Sequence, residues 1–141
     1  MRRLGRILSC GVLVLWAGCS SSPEAPSGAL DGMWSGTMTG DGGGGITLVL
    51  AQNGAGIAGT FQWRSTDGTQ TRAGEAGGTL AGSVLTLSLS GTPLVCPGGV
   101  TLSGVVSATV TVNGSRMAGS YAAFTCGGAA AGTVEVVRQP G

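Results

Sequence analysis

The sequence predicts an all-β domain, and three observations predict it. Apolar residues alternate with Thr and Ser in short runs, as where Leu85, Leu87 and Leu89 are separated by Thr86 and Ser88. A period of two marks a strand with one buried face. Glycine is abundant, 29 residues against only five prolines, and it punctuates these runs as turns and bends of a β protein would. The chain is also 42% apolar and 9% charged, whereas a disordered chain is poor in apolar residues and rich in charge. Its 141 residues suit one domain.

Eight strands are expected, at about 33–39, 46–52, 57–64, 73–80, 84–90, 100–112, 116–124 and 130–138. In the first, Trp34 and Met38 share a face; in the second, Ile46, Leu48 and Leu50 do; in the third, Ile57, Phe61 and Trp63. The fourth carries Gly78-Thr79-Leu80 and the fifth the leucine run. Val100, Leu102, Val106, Ala108, Val110 and Val112 alternate through the sixth. Met117 and Tyr121 share a face in the seventh, and the eighth carries Gly132-Thr133-Val134.

The links are short. Asn53-Gly54 and Asn113-Gly114 are tight-turn dipeptides, while Asp41 to Gly45 and Thr66-Asp67-Gly68 make looser turns. Neighbours in sequence should therefore be neighbours in space. A Gly-(Thr/Ser)-apolar repeat recurs at Gly36, Gly59, Gly78, Gly119 and Gly132. Each glycine shares a face with the apolar residue two places on, and an inward glycine lets a strand bend and the sheet curl. Curling closes a sheet and removes its edges. The first expectation is a small up-and-down antiparallel β-barrel of about eight strands, and the second a two-sheet β-sandwich. In a meander, Cys96 (between strands five and six) and Cys126 (between seven and eight) fall at the same end, so a disulfide is expected between them, as export would permit.

The head of the chain has a different character. Arg2, Arg3 and Arg6 precede a mostly apolar stretch from Ile7 to Trp16, then Ala17-Gly18-Cys19 and the spacer Ser20-Ser21-Ser22-Pro23. This is the layout of a secretory signal peptide, too short to span a bilayer of about 30 Å. Ala17-Gly18-Cys19 resembles the lipobox of bacterial lipoproteins, with Trp16 where that family prefers Leu. The resemblance implies diacylglycerol on the Cys19 thiol, cleavage just before Cys19, acylation (palmitate-type) of the new amino group, and, with Ser20 following, sorting to the outer membrane. The expected organisation is thus a signal peptide over 1–18, a lipidated Cys19 and flexible tether over 19–30, and a β-barrel domain over 31–141.

Composition narrows the chemistry. After residue 19 the chain has four arginines (Arg64, Arg72, Arg116, Arg138) against six acids, a net charge of −2. With no Lys and no basic cluster it has little with which to neutralise phosphates, so nucleic acid is not expected as a partner. The absence of His and Lys excludes Ser-His-Asp, Cys-His and Ser-Lys arrangements, His metal ligands and Schiff bases. Asp67 and Glu75, with Arg72 nearby, form no catalytic spacing. Gly42 to Gly45 lacks the Lys-Ser/Thr and helix of a phosphate loop. No catalytic residue, metal or cofactor is expected.

Gly32-Met33-Trp34 with Gly36-Thr37, leading a short-strand meander, is similar in pattern to avidin-like and lipocalin-like barrels and to small barrel inhibitors of bacterial proteases. The expected function is that of a lipid-anchored, non-enzymatic envelope protein touching the membrane through its N-terminal lipid. Its barrel would act on a protein partner or on a small apolar ligand, with Trp34, Phe61, Trp63 and Tyr121 as candidate ligand-binding residues, or as a protease inhibitor. Nothing in the sequence sets an oligomeric state.

Overall fold

The computed structural model describes residues 29–140. The expected signal peptide, Cys19 and the expected tether up to residue 28 lie outside them. Eight strands form a closed barrel: β1 (Gly32–Met38), β2 (Gly44–Asn53), β3 (Gly56–Ser65), β4 (Thr71–Ala81), β5 (Val84–Gly91), β8 (Val105–Asn113), β9 (Arg116–Thr125) and β10 (Gly128–Arg138). A two-stranded ribbon, β6 (Leu94–Val95) with β7 (Thr101–Leu102), is inserted between β5 and β8. Each barrel strand pairs antiparallel with the next, β5 pairs with β8 past the ribbon, and β1 pairs with β10 to close the wall. The up-and-down barrel is therefore the architecture, not the sandwich.

One expected strand is corrected. Residues 100–112 do not form a single strand: Thr101–Leu102 belongs to the ribbon, and the barrel strand starts at Val105. The break falls at Gly104, where a side chain would press on the Thr92 carbonyl 2.5 Å away, while the Gly104 carbonyl accepts a hydrogen bond from Gly91 N–H.

The repeated inward glycines explain the curvature. A Cβ at Gly36, Gly59, Gly78, Gly119 or Gly132 would collide with a backbone carbonyl of an adjacent segment, those of Glu135, Val49, Thr86, Thr109 and Thr39 in turn. Backbones approach this closely only where no side chain stands between them, and all five members of the repeat occupy such positions.

The two ends differ. At one, three two-residue turns (Gly54-Ala55, Gly82-Ser83, Gly114-Ser115) join the strands, each with its glycine at φ near +60°. Leu30 closes this tight end: its N–H donates to Gln52 Oε1 (3.0 Å), and its carbonyl accepts from Trp34 Nε1 (3.0 Å). Arg138 lies over the Trp34 ring, 4.8 Å from its centroid, and donates to the carbonyls of Asp31 and Ala29. Trp34, Leu85 and Met117 are all 0% exposed there, so this half of the barrel is filled. The other end carries three longer links, residues 39–43, 66–70 and 92–104, and the two-residue link 126–127.

Candidate functional site

The loop end holds a cavity of about 100 Å³. Phe61, Trp63, Leu89, Val106, Tyr121 and Ala130 are among the residues that line it. Phe61 and Tyr121 are the sixth residues of β3 and β9, two strands that start at the tight end, so both rings reach the upper half of the interior. Trp63 follows one inward step later.

Two of these rings carry polar atoms with opposite circumstances. The Tyr121 hydroxyl accepts from Gly42 N–H (2.9 Å) and donates to the Thr39 carbonyl (2.8 Å), tying the β1–β2 link to the interior. The Trp63 indole N–H is buried and, among the described residues, has no hydrogen-bond partner. Gly44 leaves room for it, since a methyl group there would stand 2.9 Å from Nε1. An unpaired buried donor costs about 1–3 kcal/mol.

Arg72 completes the wall. On β4 it is in register with Trp63 and in phase with buried Ala76, so it points inward at the mouth. Its Nη1 donates to the Thr92 carbonyl at 3.3 Å. Among the described residues the one ion pair joins Arg116 and Glu135 at 2.7 Å, leaving the Arg72 guanidinium without a carboxylate. Sequence reasoning passed over Arg72; its even spacing from Ala76 and Leu80 was the available signal.

Of the four aromatic residues considered for ligand binding, Phe61, Trp63 and Tyr121 come together around this cavity. Trp34 does not. It is the third residue of β1, which starts at the tight end, and its indole N–H is taken by Leu30. Trp34 is a fully buried core residue at the tight end and is not among the residues that line this cavity.

Cys96 and Cys126 form a disulfide with a Cα separation of 5.4 Å, clasping the ribbon's turn to the β9–β10 link beside the mouth. Around it Val95 (74% exposed) and Phe124 (70% exposed) present apolar surface. Asp67 lies in the β3–β4 loop, where hydrogen bonds from the Ser65 hydroxyl (2.6 Å) and from the Thr69 N–H (3.0 Å) and hydroxyl (2.8 Å) hold its carboxyl down to a pKa of about 2. Glu75 faces outward on β4. Among the described residues no three His, Cys, Asp or Glu side chains gather as metal ligands would. Compared with protein-family models, curated proteins and solved structures, the chain matches none.

Proposed function

We propose that the chain is a lipid-anchored, non-enzymatic protein of the bacterial cell envelope, attached through acylated Cys19 and, with Ser20 following, sorted to the outer membrane. The observation that carries this reading is the order of residues Met1 to Pro23: three arginines, an apolar stretch, Ala17-Gly18-Cys19, then a Ser/Pro spacer. Two or more acyl chains convert marginal membrane binding into stable attachment, at about 0.8 kcal/mol per buried CH₂. The barrel's polarity agrees with a domain that needs such an anchor. Most of its large apolar residues face inward, and hydroxyls such as Thr86, Thr109 and Ser120 face outward between a few exposed side chains such as Val49 and Val84, largely the inverse of a barrel that meets lipid with its outer wall. The lack of His and Lys supports the non-enzymatic part.

Intact-mass measurement of the membrane-extracted protein tests the anchor: the product should begin at Cys19 and carry the mass of its acyl chains. A Cys19→Ala variant should become soluble in the periplasm, and its persistence in the membrane would refute the anchor.

A second reading is favoured by the mouth cavity. A void lined by Phe61, Trp63 and Tyr121 supports a barrel that takes a small apolar ligand in the manner of calycins, at the end opposite the one where Ala29 and Leu30 join the tether. Ligand pockets are concave, mostly apolar and furnished with a few polar groups. Its volume limits the guest to a small molecule.

A further inference from the structure

Resting on the ligand-binding reading, we propose that the mouth selects a small apolar carboxylate: a compact hydrocarbon group buried among Phe61, Trp63 and Tyr121, with its carboxylate at the rim against Arg72. Two independent features converge on this chemistry. The cavity, about 100 Å³, has the size of one small ring or a short branched chain; cavities of this order, lined by apolar side chains, take up guests of benzene size. Arg72 is one of the residues that line the same cavity, and its guanidinium, at the exposed rim, has one 3.3 Å bond to a carbonyl and, among the described residues, no carboxylate partner. A guanidinium's forked donors match the two oxygens of a carboxylate. The Trp63 N–H is buried against Gly44 and the Tyr121 hydroxyl is engaged with Gly42 and Thr39, so both residues contribute their rings and the polar role falls to Arg72.

The test uses the purified full chain with three probes of one ring size: benzoate, benzamide and toluene. Binding is read by titration calorimetry and by the indole N–H resonance of Trp63. Benzoate should bind saturably and at least tenfold more tightly than benzamide, shifting the Trp63 resonance. Arg72→Gln should lower benzoate affinity by about tenfold or more and toluene affinity by far less, with the remaining amide spectrum showing an intact fold. Equal binding of benzoate and benzamide, or benzoate affinity that survives Arg72→Gln, overturns the proposal while keeping the apolar-ligand reading. Absence of saturable binding by both toluene and benzoate overturns the two together.

Discussion

At the scale of single residues, Tyr121 does two jobs with one side chain: its ring lines the mouth and its hydroxyl holds the β1–β2 link. Tyr121→Phe keeps the ring and leaves Gly42 N–H and the Thr39 carbonyl without their partner. Unfolding free energy should fall by about 1–2 kcal/mol, and the Gly42 amide should speed up in exchange by more than the core amides of the tight end, which report the global change alone. Asp67 is a second case in which local bonds govern behaviour. Its folded pKa of about 2 lies below the ordinary 3.8, so the ionised form is the one the loop favours. The loop's order should therefore be complete above pH 3.8 and be lost as pH falls through about 2. A carbon-detected titration of Asp67 should give a midpoint near 2, and Ser65→Ala should raise it. Because the carboxylate is exposed, the consequence is local to residues 65–70. Phe61, Trp63 and Tyr121 were legible beforehand as aromatic residues on inward faces. Arg72 was not, because the inward face of β4 reads Arg72, Gly74, Ala76, Gly78, Leu80, with one large apolar residue to reveal its phase.

Among the strands, glycine has two meanings that only the direction of the missing side chain separates. Gly77 and Gly78 are adjacent on β4. A Cβ at Gly77 would meet nothing nearer than the Ile57 carbonyl at 3.9 Å, whereas one at Gly78 would collide with the Thr86 carbonyl across the β4–β5 pair. Gly77→Ala should be neutral or stabilising by up to about 1 kcal/mol, since it restricts the unfolded chain. Gly78→Ala must push two strands apart and should cost about 1–3 kcal/mol, as overpacking does. Denaturant unfolding of the two variants checks the contrast, and equal effects would contradict the account of curvature. That account was visible in the sequence as the Gly-(Thr/Ser)-apolar repeat, because register with the apolar residue two places on tells which glycines point inward. The ribbon was not visible. Val100, Leu102, Val106 and Val110 keep one parity across Ser103-Gly104, so alternation alone runs through the break; the ladder ends there because Gly104 meets the backbone at Thr92 and the chain must first turn back on Leu94–Val95.

For the whole molecule, closure, polarity and the disulfide act on different parts of the same object. Closure by β1 and β10 leaves no free edge in the main sheet, so edge-to-edge association is suppressed. The outward row Thr86, Thr109, Ser120 and Thr133, paired across four successive strands, gives the wall a hydroxyl surface. The packed tight end carries the largest fully buried side chains, Trp34, Leu30, Leu85, Met117 and Val136, and the loop end keeps a void. The Cys96–Cys126 bond belongs to that second end and joins two links outside the barrel ladder, bridging 30 residues of sequence. In the chain-entropy description a loop of this length contributes about 3–4 kcal/mol by restricting the unfolded chain. Reduction, or the paired change Cys96→Ser with Cys126→Ser, should therefore lower the thermal midpoint on the order of 10–20 °C. The barrel's far-ultraviolet spectrum should persist at low temperature, since no ladder bond between barrel strands depends on the bridge. Residues 92–104 and 126–127 should exchange faster through local opening, and the core amides that exchange by global unfolding should speed up together by the stability lost. Loss of the β-spectrum on reduction at low temperature would mean that the barrel cannot close without its clasp.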